Sequence, residues 1–407
     1  MTYARWLEQT NNITQQFLAI GGKADFVSLA GGLPANDLYP VEAVKAATIR
    51  ALDKWKTAAL EYGPVEGFPP LREAIARRIS KQTGRTFAPE NILVTTGAMQ
   101  GLDLVGKVFI DPGDLIVTQF PTYLGALDAW RPREPRYAKL DWNHEQPDFA
   151  ETLRKAKFVY AVPNYSNPTG ALVPTAKRQH LLDRTRKTGT WIVEDDPYLP
   201  LQLDGDAGPS ILELEGRRAP HGPYEGRVIY CGTLSKSVVP GLRVGWAVAP
   251  ADLVQKLALA KQSTDLAGSM FTHAVALEFI DSDFEIGHTE AILALYRTRR
   301  DTLLKAAAEH LSPWFEWETP PGGMFVWMHA KRGPHKEIDT DELYAYALQE
   351  KVAFVPSSVF DYEGKLKSAI RVNFTRSSPE VIEEGIRRLR RAVERYLKSN
   401  SGTPDTD

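Results

Sequence analysis

Short apolar runs recur along the chain, each closed by polar residues, Gly or Pro: NILVTT (91–96), DLIVTQF (114–120), KFVYAVP (157–163), TWIVEDD (190–196), RVIYCGT (227–233) and RVGWAVAP (243–250). Each has the length of a strand. Most are continuously apolar, as strands covered on both faces are. Amphipathic stretches lie between several of them, at 99–108, 174–187 and 251–263. Strand and helix alternating in this way predict an α/β fold, with a largely parallel sheet carrying helices on both faces.

After about residue 285 the pattern changes. A long helical stretch, 289–310, leads into the hairpin-like PPGGMFVWMHA. A helix over 340–350 and a strand over 369–374 follow. The last helix opens at Ser378-Pro379-Glu380, an N-cap residue followed by proline at the first helical position. Ile382, Ile386, Leu389, Val393 and Leu397 keep helical spacing. Arg387, Arg388, Arg390 and Arg391 interleave with Glu383, Glu384 and Glu394, which reads as a solvated face rather than a nucleic-acid contact. The segment 203–225, rich in Gly and Pro, reads as a surface insertion, and 399–407 as a disordered tail.

Composition narrows the function classes. With 407 residues, 43% apolar and 25% charged, the chain reads as an ordinary soluble globular protein with ample core. A net charge of -2 gives no basic field for nucleic acid or anionic membrane. No apolar run approaches the roughly 18 residues of a spanning helix, and MTYARWLEQTNN lacks a signal-peptide core. The single cysteine, Cys231, excludes an internal disulfide, and the eight scattered histidines show no metal-ligand spacing. No metal is expected, and a cytoplasmic location is. Phosphate-loop, dinucleotide-turn, zinc-protease and nucleophile-elbow motifs are all missing.

The chemistry then falls on strand ends. After NILVTT, Gly97 turns the chain and a helix starts at Ala98-Met99, whose free N–H groups make either an anion site or an ordinary turn. After RVIYCGT comes SKSVVPGLR, where Lys236 sits among Thr233, Ser235 and Arg243, all phosphate-binding residue types. A partly desolvated lysine beside a cation has a lowered pKa, which favours the free amine that forms imines. TWIVEDDPY ends a buried strand in acids. They could ligate a metal, cap a helix, or hold a protonated pyridine nitrogen. Asn167 in PNYSNPTG can donate to a phenolic oxygen or simply mark a turn. Tyr123 in QFPTY can stack on a flat ligand or fill the core. In this order, on these strand ends, the set calls for pyridoxal phosphate.

At these residues the sequence resembles the fold-type I pyridoxal-phosphate enzymes, specifically class I/II aminotransferases of the aminoadipate/kynurenine/aromatic branch. The resemblance runs from SLAGGLPANDLYP (28–40) through LEYGPVEGFPPLREAIA, PNYSNPTG, EDDPY, SKSVVPGLRVG and PPGGMFVW to IRVNF (370–374). It implies a three-layer α/β/α large domain over 40–284 with a mainly parallel seven-stranded sheet like that of aspartate aminotransferase. A smaller α+β domain is implied over 285–398, with 1–39 forming an arm and part of that domain. Lys236 is implied to be the imine lysine and proton shuttle, and Asp195 the partner of the pyridine nitrogen. Tyr198 and Asn167 would bond the ring hydroxyl, and Tyr123 would stack on the ring. Ala98, Met99, Thr233, Ser235 and Arg243 would meet the phosphate. Tyr62 would reach the phosphate of a neighbouring subunit, which implies a homodimer with shared sites. Arg371 would clamp the substrate carboxylate, and Gly32 would line the pocket. The implied reaction is ping-pong transamination between an amino acid and a 2-oxo acid.

Two departures bear on this. Ala98-Met99 replaces a pair that is usually polar, which removes a side-chain donor but keeps the backbone donors. Relatives specific for aminoadipate carry an arginine where this chain reads Ile13-Thr14, which favours aromatic or aliphatic donors over dicarboxylic ones. The same fold and lysine also serve β-lyases and decarboxylases. Similar domains act as ligand sensors fused to DNA-binding modules, and this chain begins almost at the aminotransferase-like segment, with no helix-turn-helix region ahead of it.

Overall fold

The computed structural model describes residues 3–4, 6–7, 25–280, 282, 284–332 and 337–400. Ile13-Thr14 and the tail beyond 400 lie outside the described residues. Among the described residues, thirteen strands follow in chain order: β1 (Val27–Ser28), β2 (Ile92–Thr95), β3 (Leu115–Gln119), β4 (Arg136–Leu140), β5 (Ala156–Ala161), β6 (Trp191–Asp195), β7 (Val228–Thr233), β8 (Gly245–Val248), β9 (Phe315–Trp317), β10 (Phe325–Ala330), β11 (Val352–Ala353), β12 (Val355–Pro356) and β13 (Ala369–Asn373). Seven of them form one sheet in the order β2-β8-β7-β6-β5-β3-β4. The pairs among β4, β3, β5, β6 and β7 are parallel, whereas β8 runs antiparallel to both β7 and β2.

The alternation of side chains across this sheet explains the layering. Leu93, Ile116, Phe158, Tyr160, Val193, Ile229 and Ala247 enter one core, with the helices Ala98–Phe109 and Ala251–Asp265. Their neighbours Ile92, Val94, Val117, Val159, Ile192, Val228 and Val248 enter the other, with the helices Pro69–Thr83, Thr175–Thr188 and Met270–Ile280. Both faces are dry, so the strands need no polar alternation. Full burial of each such Val, Leu, Ile or Phe side chain stabilises by roughly 1.5–3 kcal/mol.

The second sheet, β12-β13-β10-β9, is antiparallel, and β9 and β10 form the hairpin expected around PPGGMFVW. A two-stranded parallel pair joins β1, near the chain start, to β11. The expected helices are found at Ala98–Phe109, Thr175–Thr188, Ala251–Asp265, Phe284–His310, Thr340–Gln349 and Pro379–Asn400. On the last of these, Arg387 and Arg388 pair with Glu384, Arg390 with Glu394 and Arg391 with Glu350. The arginine cluster is thus a paired, solvated face, and each such pair contributes little.

The segment 203–225 departs from the surface insertion expected of it. Leu203, Ile211, Leu212 and Tyr224 are buried. The buried Glu194 carboxylate accepts the N–H groups of Ile211 (2.8 Å) and Leu212 (2.9 Å) at the start of the helix Ile211–Gly216. The buried Arg178 guanidinium donates to the carbonyls of Ala207 (3.1 Å) and Pro209 (3.0 Å). No described helix is long and apolar enough to cross a membrane.

Candidate active site

Strand ends deliver the site. β7 closes at Thr233, and a helical turn anchored by the buried Leu234 and Val238 follows, with the Val238 N–H on the Leu234 carbonyl at 3.0 Å. Lys236 projects from this turn, and its amine donates to the Gly32 carbonyl at 3.2 Å. The 3-10 turn Pro240–Leu242 carries the chain back to Arg243, whose φ of 54° starts the reversal into β8. Burial, with Arg243 and Arg371 as neighbouring cations, lowers the Lys236 pKa to about 8. A minor but real fraction of its amine is therefore neutral near physiological pH, far more than for an ordinary lysine.

Asp195 ends β6 beneath this turn and is 2% exposed. Its Oδ2 accepts the Tyr160 hydroxyl at 2.8 Å, while its Oδ1 is buried with no hydrogen-bond partner. Such an orphaned acceptor is rare and asks for a donor the chain does not supply. Burial pushes the Asp195 pKa up to about 7, against the Tyr160 hydroxyl and with the neighbouring Asp196 charge.

This shift carries a sign. Without cofactor, the native state holds a proton on Asp195 between roughly pH 4 and 7 that the unfolded chain has released, so this group's contribution to stability falls as pH rises through that window. In cofactor-free protein, Asp195→Asn should gain on wild type from near zero below the window to about 4 kcal/mol above it. Denaturant titrations across pH measure the difference, and a pH-independent value contradicts it.

The anion cup lies between β2 and β7. Gly97 has a φ of 74°, and a Cβ there would stand 2.4 Å from Arg243 Nη2. The Thr233 hydroxyl donates to the Val244 carbonyl (2.9 Å) and lies 2.9 Å from the Ser235 hydroxyl. Gly245 backs the turn, since a Cβ there would meet the Ala98 nitrogen at 2.8 Å. Ala98 and Met99 open the helix Ala98–Phe109, so their N–H groups have no intrahelical acceptor. Gly97→Ala should therefore displace Arg243, strain the turn by about 1 kcal/mol and weaken cofactor binding about tenfold or more. Cofactor titration of the cofactor-free protein checks this, and unchanged affinity contradicts it.

Arg371 on β13 is buried and donates to Asn167 Oδ1 (2.8 Å) and the Ala30 carbonyl (2.5 Å), while its Nε has no partner. Phe325 and Phe360 flank its guanidinium at 4.3 and 5.1 Å from the ring centroids. The bond to Arg371 fixes the Asn167 amide oxygen, and the same side chain also hydrogen-bonds Tyr198. Tyr198 is buried with its ring edge-on to Phe325, and burial raises its pKa. The Tyr123 hydroxyl is 3.7 Å from Met99 Sδ, and burial pushes its pKa to about 12. A Cβ at Gly32 would touch Phe325 at 3.3 Å. Tyr62 stands apart, 81% exposed, with no hydrogen bond to the others.

Sequence reasoning missed three groups. Tyr160 was legible only as one hydroxyl inside an apolar strand. Gln100 and Asp265, joined behind the anion cup at 2.6 Å, carried no signal of their contact.

An orphaned carboxylate oxygen opposite a lysine of lowered pKa, beside a glycine-lined anion cup and a buried arginine, fits a phosphorylated pyridine aldehyde. Comparison with known proteins agrees. The family model for aminotransferase class I and II matches residues 24–389. The chain is 36% identical to aromatic-amino-acid aminotransferase 1 of Thermococcus litoralis, over 94% of this chain and 92% of that one. It is 37% identical to 2-aminoadipate transaminase of Thermus thermophilus, over 94% of each. The crystal structure of Pyrococcus horikoshii kynurenine aminotransferase, in complex with PMP, superposes with a TM-score of 0.88 at 34% identity, covering 97% of this chain and 98% of that one. Fold, cofactor chemistry and a match across nearly the whole chain thus converge, and the chain belongs to the class I and II aminotransferases, with pyridoxal phosphate as cofactor.

Proposed function

We propose that this aminotransferase works through Lys236 as its cofactor-bearing lysine and favours aromatic or aliphatic amino donors. The observation that carries the site reading is the unpartnered Oδ1 of the buried Asp195 together with the lowered pKa of Lys236. In this reading Asp195 Oδ1 accepts the pyridinium N–H. Asn167 and Tyr198 would hydrogen-bond the ring hydroxyl, and Tyr123 would stack on the ring. The N–H groups of Ala98 and Met99, reached over Gly97, take the phosphate with Thr233, Ser235 and Arg243.

When bound, pyridoxal phosphate supplies the carbon that carries the amino group and a protonated ring that withdraws electrons from the substrate α-carbon. The chain supplies the rest. Arg371 binds the α-carboxylate as a charge-assisted partner. Lys236, as a neutral amine, would take the α-proton and later return one. Asp195 keeps the ring nitrogen charged. Gly32 leaves the substrate wall open beside Phe325.

The donor preference is supported by the charges at the site. Among the described residues, the cations acting on Lys236 are Arg243 and Arg371, both already committed, and residues 8–24 contain no arginine for a distal carboxylate. The relative named for aromatic amino acids supports it too, while the one named for 2-aminoadipate supplies the competing reading. With 2-oxoglutarate as acceptor, phenylalanine, tyrosine and leucine should exceed aspartate and 2-aminoadipate at least about tenfold in kcat/KM. The reverse order would overturn the preference alone.

A homodimer is supported by exposed apolar side chains (Val41, Ile49, Leu60, Tyr62 and Leu266) on or beside mutually packed helices. Sedimentation at the mass of one chain would contradict it. The buried free thiol of Cys231 accords with a cytoplasmic setting.

A further inference from the structure

We propose that Gln100, anchored by Asp265 and Lys261, is a positioning residue that sets the strand-to-helix turn of the anion cup for the cofactor's phosphate. The proposal rests on the phosphate reading above and adds the device that shapes the cup.

The backbone of Thr96 is the node. Its N–H donates to Gln100 Oε1 at 2.8 Å, and its carbonyl accepts Arg243 Nη2 at 3.3 Å. Gln100 Nε2 donates to Asp265 Oδ2 at 2.6 Å, which fixes the amide orientation. Lys261, one helical turn before Asp265 and with no exposed side-chain surface, donates to Asp265 Oδ1 at 3.1 Å. A continuous chain of bonds therefore runs from a buried lysine on the helix Ala251–Asp265 to the backbone of the turn. On the carbonyl side of the same residue stands the arginine assigned to the phosphate.

The departure in sequence makes this arrangement matter. Ala98 and Met99 carry no side-chain donor, and the Gly97 N–H is spent on the Thr95 carbonyl at 2.9 Å. Recognition then rests on the directions of the Ala98 and Met99 N–H groups, which the turn alone sets. Gln100, the third residue of that helix, ties the turn from behind and leaves those two donors free. Lys261 offsets the Asp265 carboxylate, which would otherwise repel an anion nearby.

The test compares cofactor-free full-length wild type, Gln100→Leu, Asp265→Ala and Arg243→Met, each titrated with pyridoxal 5'-phosphate and with pyridoxal. The readout is the preference for the phosphorylated compound. Gln100→Leu and Asp265→Ala should each lower that preference about tenfold, with pyridoxal affinity unchanged. A full preference in both variants, lost only in Arg243→Met, overturns the role of Gln100 and leaves the phosphate reading standing. Equal weakening toward both compounds also overturns it, because that is the mark of a general structural defect. No preference in wild type would instead sink the phosphate reading itself.

Discussion

Replacing Lys236 with alanine should lower transamination about 10⁴-fold or more, because both the attachment of the cofactor and the α-proton transfer are lost together, and proton transfer alone is worth about 10²–10⁴-fold. The structure separates this loss from a failure to bind. The cup of Gly97, Ala98, Met99, Thr233, Ser235 and Arg243 draws on no atom of Lys236, so pyridoxal phosphate should still bind, held without a covalent link. Folding should also survive, since the lysine amine makes one hydrogen bond, to Gly32, and its turn is fixed by Leu234 and Val238. Steady-state rates with a good donor, alongside equilibrium dialysis of the cofactor, measure the two effects. Near-normal turnover would remove Lys236 from the chemistry.

Asp195→Asn should have the second-largest effect. An amide cannot carry the negative charge that keeps a ring nitrogen protonated. Breaking such a buried, charge-assisted pair costs about 3–5 kcal/mol, or roughly 10²–10⁴-fold in rate. The same substitution removes a carboxyl that burial holds at a pKa of about 7, so at neutral pH the cofactor-free variant should be more stable than wild type. Lower activity with higher stability at one residue is the pattern of a group kept for function. A variant that lost both would make Asp195 an ordinary structural acid.

The parts of the molecule legible in its sequence share a physical feature. The parallel strands β3, β5, β6 and β7 could be read because burial on both faces leaves continuous apolar runs, whereas the half-exposed edge strand β4, RYAKL, carries no such run and was missed. The residues at their ends, Asp195, Lys236 and Asn167, stood out as polar groups just where such runs stop. What could not be read depends on direction or distance. β8 is as apolar as its neighbours, and nothing in GWAV says that it runs antiparallel. The helix Met270–Ile280 buries Met270, Ala274, Val275, Ala276, Leu277 and Phe279, so no polar stripe marks it. In 203–225, glycines and prolines hid Leu203, Ile211 and Leu212, whose burial depends on Glu194 and Arg178 binding the local backbone. Arg371 meets the Ala30 carbonyl 341 residues away, a contact only the fold creates. Gln100 was visible as a residue, but its link to Asp265 spans 165 positions.

The assignment of Lys236 as the cofactor-bearing lysine is tested most directly by borohydride reduction of the holoenzyme, followed by proteolysis and mass mapping. The account predicts a single pyridoxyl label on the peptide containing Lys236. A label on another lysine, or reduction that leaves every lysine unmodified, would contradict it.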